Sequence, residues 1–173
     1  DGYVVARTLR EWDARIEPLV VTRGEAGRHS EEARANLELA RAAGIEILAQ
    51  PSAERLRAVC AECDLVVDAI LGVGLARPVE DELAAWLDAL SGGPPVVAID
   101  LPSGLSGDTG EPLGAWLPAD LVVTLGLPKL GLALAPLEAE ILVADLGLPN
   151  LSRANVEIRQ HLLTPSVARG LLP

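Results

Sequence analysis

Asp64-Leu65-Val66-Val67-Asp68-Ala69-Ile70-Leu71-Gly72-Val73-Gly74-Leu75-Ala76-Arg77-Pro78 is the stretch whose reading decides the fold. A continuous apolar run, Leu65-Val66-Val67, ends in a carboxylate and then in a glycine-bearing loop. Such a run predicts a strand over 64–70 buried on both faces at a central position of a parallel sheet. Pro95-Val96-Val97-Ala98-Ile99-Asp100 repeats the arrangement and leads into Leu101-Pro102-Ser103-Gly104. In an open α/β sheet, ligands bind in the crevice outside the carboxyl ends of the strands. Two carboxylates with small residues at two such ends therefore predict one shared site.

Outward from this pair, helical and extended patterns alternate, as they do in a parallel sheet with helices on both faces. Val4, Val5, Leu9 and Trp12 predict a helix over 2–13, and Ile16 to Thr22 a strand. Ser30-Glu31-Glu32 reads as a cap with acidic residues in the first turn, opening a helix that runs to Ala43 and stops at Gly44. Strand 45–48 and helix 52–62 lead to the quoted stretch. Beyond it, helix 78–90 places Leu83, Trp86, Leu87 and Leu90 on one face and ends at Gly92-Gly93-Pro94. Residues 104–117, rich in Gly, Pro, Asp and Thr, read as a long functional loop, and strands are expected over 120–125 and 140–145. After Gly147-Leu148-Pro149 the pattern becomes irregular; 150–173 reads as a C-terminal arm or as a connection to another domain.

The 173 residues suffice for one α/β domain with a buried core. A net charge of −11, from 14 basic and 25 acidic residues, argues against nonspecific nucleic-acid binding or attachment to an anionic membrane. No apolar run approaches the roughly 20 residues that span a bilayer. A soluble, cytoplasmic protein acting on a small molecule is expected. The only cysteines, Cys60 and Cys63, form Cys-Ala-Glu-Cys, but no second Cys or His pair lies nearby and His29 and His161 stand alone. They read as ordinary helix residues in a reducing compartment. The chain opens at Asp1 without Met, so it is expected to be a fragment of a longer polypeptide.

Asp68 at a strand end can coordinate a hard cation, hold a ligand hydroxyl or cap a turn, while Gly72 and Gly74 let backbone N–H groups approach a phosphate. At Asp100, Pro102 restricts the chain and Ser103 and Gly104 let it turn sharply, so that oxygens converge on an ion or substrate. Ser103 lies outside any Gly-x-Ser-x-Gly elbow, which argues against a serine hydrolase. Asp108-Thr109-Gly110 reads as a hydrogen-bonded turn. Arg77 and Lys129 are the cations placed to meet a phosphate, or else solvated loop charges.

Asp1-Gly2-Tyr3-Val4-Val5-Ala6-Arg7, Asp68 to Pro78, Val97 to Gly104, Asp108-Thr109-Gly110 and Pro128-Lys129-Leu130-Gly131-Leu132 occur here in order. Together they closely resemble the NAD(P)H-hydrate epimerase family, the YjeF N-terminal domain, over residues 1–149. The resemblance implies a Rossmann-like three-layer α/β/α sandwich with a mostly parallel sheet, interconverting the R and S epimers of hydrated NADH and NADPH. It implies a potassium ion on the residues matched by Asp68 and Ser103. It also implies substrate binding by Asp1, by Gly72, Val73, Gly74, Leu75, Ala76, Arg77 and Pro78 around the phosphates, and by Asp100, the candidate acid/base, at the altered ring. Asp1 matches the last residue of the family's Asn-Asn-Gly-Gly-Asp-type loop; that loop's asparagines and glycines are not in this sequence. Two further implications are a homodimer or higher homo-oligomer and a linker at the tail leading to an ADP- or ATP-dependent dehydratase. The rival readings are a noncatalytic nucleotide- or protein-binding module of the same fold, and a generic nucleotide-binding enzyme, for which no complete phosphate loop is present.

Overall fold

The structure is a computed structural model and describes residues 1–24 and 29–147. The expected tail over 150–173, together with the last two residues of the 1–149 domain, lies outside the described residues. Eleven elements follow one another: α1 Gly2–Trp12, β1 Leu19–Thr22, α2 Glu31–Ala42, β2 Glu46–Ala49, α3 Ala53–Cys60, β3 Val66–Asp68, α4 Asp81–Leu90, β4 Val96–Ile99, β5 Leu121–Leu125, α5 Leu130–Leu134 and β6 Glu140–Ala144. The alternation read from the sequence is therefore present, with each strand somewhat shorter than its apolar run, except for β2, which is as long as expected and shifted by one residue. Helix α5 has no counterpart in the sequence pattern, because Leu130-Gly131-Leu132-Ala133-Leu134 is too short to display a helical period.

The helix starts follow from local chemistry. Ser30 accepts a hydrogen bond from the Ala33 amide and Ser52 one from the Arg55 amide, each satisfying an otherwise orphaned donor. Every strand pair is parallel, in two hydrogen-bonded groups, β1-β2 and β3-β4-β5-β6. Adjacent residues of β1 face opposite sides: Val20 joins a core with Ala6 of α1 and Ala40 of α2, whereas Val21 packs against the core built by α3 and α4. Helix α1 packs on α2, and α3 on α4. Helices thus lie on both faces of β1, in keeping with the expected α/β/α layering. The face expected on helix 78–90 is also present, with Leu83, Trp86, Leu87 and Leu90 buried against Leu56 and Cys60. The indole of Trp86 donates to the Pro51 carbonyl at 3.0 Å.

The central position expected for the quoted stretch is corrected. Among the described residues, strand β3 pairs only with β4 and ends its hydrogen-bonded group, so its apolar residues are incompletely covered: Leu65 is 47% exposed and Val66 and Val67 are half-buried. Asp68, by contrast, is 1% exposed. The polar residue is the buried one because the chain after β4 folds over it.

Loop 104–117 is also more firmly built than its composition suggests. Leu105 and Leu117 are buried, the Leu113 amide donates to the Gly104 carbonyl at 2.8 Å, and the Leu117 amide to the Ser103 carbonyl at 2.9 Å. Gly104 has φ +95°, and a Cβ there would lie 2.2 Å from the Ala115 carbonyl oxygen and 2.6 Å from Trp116 Cα, both backbone atoms. No alanine fits that space. Gly104→Ala is expected to lose about 2–4 kcal/mol of stability from strain and backbone displacement, measured as a shift of the urea midpoint. Unchanged stability would mean that the loop is free to move away.

Candidate functional site at the strand ends

The chain leaves β3 at Asp68 and β4 at Ile99, side by side, because Asp68 pairs in register with Ala98. The connection from β4 then crosses the end of β3. Pro102 and Ser103 bring a backbone amide and a hydroxyl directly onto Asp68: the Ser103 amide donates to Oδ2 at 2.7 Å and the Ser103 hydroxyl to Oδ1 at 2.6 Å. The Ile70 amide adds a longer bond to Oδ1 at 3.3 Å. Ser103, itself 0% exposed, accepts from the Leu71 amide at 2.9 Å. Burial pushes the Asp68 carboxyl above the usual carboxylate range, against the opposing pull of the hydrogen bonds from Ser103 and Ile70. Its hydrogen-bond partners are two amides and a hydroxyl, with no cationic side chain among them.

Asp100 stands one residue past β4 with φ +73°, a left-handed conformation that is uncommon for any residue but glycine. Its amide donates to the Val123 carbonyl at 2.8 Å, which turns the side chain toward the end of β5. There Oδ1 receives the Leu125 amide at 3.0 Å, the Thr124 hydroxyl at 3.4 Å and the Lys129 ammonium, an ion pair whose side chains are 18% and 16% exposed on Lys129 and Asp100. Among the described residues, Oδ2 receives no hydrogen bond.

The glycine-bearing loop follows Asp68 and approaches Lys129, the ion-pair partner of Asp100, across Gly107. Gly72, Val73, Gly74, Ala76, Arg77 and Pro78 are exposed and Leu75 half-buried, so that at Gly72 and Gly74, which have no side chain, it is backbone that meets solvent. A Cβ built on Gly107 would lie 4.0 Å from Val73 Cγ1 and 4.0 Å from Lys129 Cγ, which brings this loop and the Asp100 ion pair to one place. A Cβ on Gly2 would lie 3.2 Å from Ala69 Cβ, so the start of α1, with Asp1 as its N-cap residue, adjoins the loop after Asp68. The Asp1 side chain makes no capping hydrogen bond. Arg77 forms no ion pair among the described residues.

Asp108-Thr109-Gly110 is a turn: the Thr109 amide donates to Ser106 Oγ at 3.2 Å, the Glu111 amide to Thr109 Oγ1 at 3.3 Å, and the Gly110 amide to the Ser106 carbonyl at 3.0 Å. Cys60 and Cys63 are free thiols, one buried and one half-buried, and burial raises the pKa of both. The described residues contain no group of three or more His, Cys, Asp or Glu side chains able to hold a metal ion. They also contain no helix long and apolar enough to cross a membrane. His29, solitary in sequence, lies with Nε2 2.8 Å from the Tyr3 hydroxyl, which in turn donates to Thr22 at 3.0 Å. The environment of Asp100 is not visible in the sequence: Lys129 reads there as a phosphate ligand or a solvated loop charge, and nothing local marks Thr124 or the Leu125 amide as its partners.

Comparison with known proteins gives this arrangement relatives. A bifunctional NAD(P)H-hydrate repair enzyme Nnr of Moorella thermoacetica is 36% identical over 180 residues, which cover 100% of this chain and 34% of that protein. An NAD(P)H-hydrate epimerase of Limosilactobacillus fermentum is 32% identical over 149 residues, covering 84% of this chain and 68% of the relative. The chain thus spans about a third of the first curated relatives it matches, 34% and 33% of their lengths. The crystal structure of yeast ynu0 superposes with a TM-score of 0.75 at 20% identity, covering 94% of this chain and 69% of that one, and shares the fold. Residues 1–131, which include both carboxylates, Ser103, the glycine loop and Lys129, match the family described as YjeF-related protein N-terminus, and the chain belongs to that family.

Proposed function

We propose that the strand-end site epimerises hydrated NADH and NADPH, interconverting their R and S forms. The observation that carries the reading is the meeting, at two adjacent strand ends, of the buried Asp68–Ser103 pair, the Asp100 carboxylate and the glycine-bearing loop over residues 72–78. The names of the relatives support the substrate class.

The hydrate carries a hydroxyl on the ring carbon next to the ring nitrogen, so it is a hemiaminal. Nitrogen lone-pair donation expels that oxygen as water once a proton is delivered to it, leaving an iminium ion; water then returns to the opposite face and gives up a proton. Asp100 Oδ2 is the atom assigned to deliver and recover the proton, and the carboxylate offsets the charge of the iminium. The amides of Gly72, Val73, Gly74, Ala76 and Arg77, all exposed residues, hold the diphosphate, with the Arg77 side chain beside them, and Asp1 borders the substrate from the start of α1. Binding at these points fixes the ring against Asp100.

Potassium fits the chemistry of the Asp68 and Ser103 donor set. These are hard oxygens, and among the described residues Asp68 is buried without a cationic side-chain partner and Ser103 Oγ accepts only the Leu71 amide. Bound there, the ion would offset the buried charge and help orient substrate oxygens.

The test is the time course of S epimer formation from the purified R epimer by chromatography on the full-length polypeptide, in potassium and in tetramethylammonium at equal ionic strength. Acceleration over the spontaneous rate that falls at least about tenfold without potassium is expected, the equivalent of about 1.4 kcal/mol of transition-state stabilisation. Tight binding of the hydrate without acceleration would instead favour the noncatalytic module.

A further inference from the structure

We propose that Lys129 is a positioning residue for Asp100, committing one carboxylate oxygen to the protein so that the other faces the substrate. The inference rests on the epimerase reading for its meaning but on separate geometry for its support.

An ammonium carries three donors and no acceptor. Lys129 Nζ has three acceptors around it: Asp100 Oδ1, Thr124 Oγ1 at 3.2 Å and the Leu125 carbonyl at 2.9 Å. Its donors are used within the protein, and none remains for a phosphate. The phosphate contact considered for Lys129 from sequence therefore does not fit this geometry. On the other side of the pair, Asp100 Oδ1 collects Lys129, the Leu125 amide and the Thr124 hydroxyl, whereas Oδ2 takes no bond among the described residues. The carboxylate is thus divided into a saturated oxygen and a free one. Three donors on one oxygen also hold the side chain of a residue whose backbone is already strained at φ +73°.

The position of Lys129 is itself fixed by close packing. Lys129 is the N-cap residue of α5, and the next residue but one, Gly131, approaches the preceding loop so closely that a Cβ would fall 2.1 Å from the Ser106 carbonyl oxygen. The Gly131 amide donates to the Gly107 carbonyl at 2.7 Å. The short helix and loop 104–117 together aim the lysine at Asp100. This gives a structural reason for Pro128-Lys129-Leu130-Gly131 to occur as a unit: the lysine needs the glycine two residues on.

The experiment compares the wild type with Lys129→Met and Lys129→Arg in the R-to-S exchange assay. Lys129→Met is expected to lower kcat about 10- to 100-fold with KM changed less than about threefold, because misplacing a reacting group affects turnover more than binding. Lys129→Arg, which keeps the charge and a donor, is expected to recover part of that loss. A raised KM with unchanged kcat would make Lys129 a substrate ligand and overturn the inference, and so would unchanged kinetics. Carboxylate 13C NMR of Asp100 provides a readout independent of turnover. Its resonance is expected to move in Lys129→Met and to return toward the wild-type position in Lys129→Arg. If the wild type itself fails to exchange the epimers, the epimerase reading falls; an Asp100 resonance identical in wild type and Lys129→Met overturns the positioning role.

Discussion

Asp100→Asn is expected to slow epimer exchange by ~10²–10⁴-fold, the range that a positioned acid/base contributes, while leaving the fold and hydrate affinity nearly unchanged. The substitution is conservative in two respects. Asparagine adopts left-handed backbone about as readily as aspartate, so φ +73° at this position adds no new strain. Its amide oxygen can replace Oδ1 as acceptor for the Leu125 amide, the Thr124 hydroxyl and Lys129. What changes is the other atom: a nitrogen that cannot carry a proton back and forth replaces the free oxygen, and the negative charge facing the iminium is lost. Loss of kcat with KM within about threefold is the predicted pattern, in a protein that stays folded with a melting temperature lowered by the charge lost opposite Lys129. Full exchange rate in a well-folded Asp100→Asn protein would remove Asp100 from the chemistry.

Asp68→Ala is expected to destabilise the protein by about 3–5 kcal/mol, a large part of the roughly 5–15 kcal/mol typical of a domain. Removing the carboxylate strands the Ser103 amide, the Ser103 hydroxyl and the Ile70 amide together in a buried space. Each unsatisfied donor costs about 1–3 kcal/mol, and the Ser103 hydroxyl can recover part by rotating. Asp68→Asn is the milder variant, since one oxygen is kept and only one strong acceptor becomes a donor; about 1–3 kcal/mol is expected. Urea denaturation reads both. A loss below about 0.5 kcal/mol for the alanine variant, the range of an ordinary surface substitution, would mean that the Ser103 turn does not depend on Asp68. The ordering matters for function as well, because the same turn sets the course of the chain from Asp100 through Pro102 to Gly104.

The alternation of helices and strands was legible because each apolar run is bounded by a cap, a glycine or a proline. Ser30 and Ser52 cap the helices they precede, and the four apolar residues assigned to one face of α4 are buried together. The position of β3 was not legible. Leu65-Val66-Val67 has the composition of a strand covered on both sides, but composition does not report how many neighbours a strand finds, and here it has one among the described residues. Carboxylates at the ends of apolar runs are legible as strand-end residues, but nothing in their local sequence distinguishes the two environments. Asp68 is enclosed by amides and a hydroxyl that follow Asp100 in the chain, whereas Asp100 reaches over to β5 and α5. Both depend on contacts 24 or more residues away, beyond any local period. Arg77 and Lys129 show the same limit. Sequence ranked them together as cations, and structure separates an exposed loop charge from an ammonium fully engaged with the protein.

Conversion of the purified R epimer of hydrated NADH in 18O-labelled water, followed by chromatography and mass spectrometry, tests most directly whether this site breaks and remakes the C–O bond. The full-length protein in potassium is predicted to accelerate formation of the S epimer above the spontaneous rate, and each newly formed S molecule is predicted to carry the solvent oxygen. No acceleration would contradict the assignment of the activity, and acceleration with the original oxygen retained would contradict the mechanism built on Asp100.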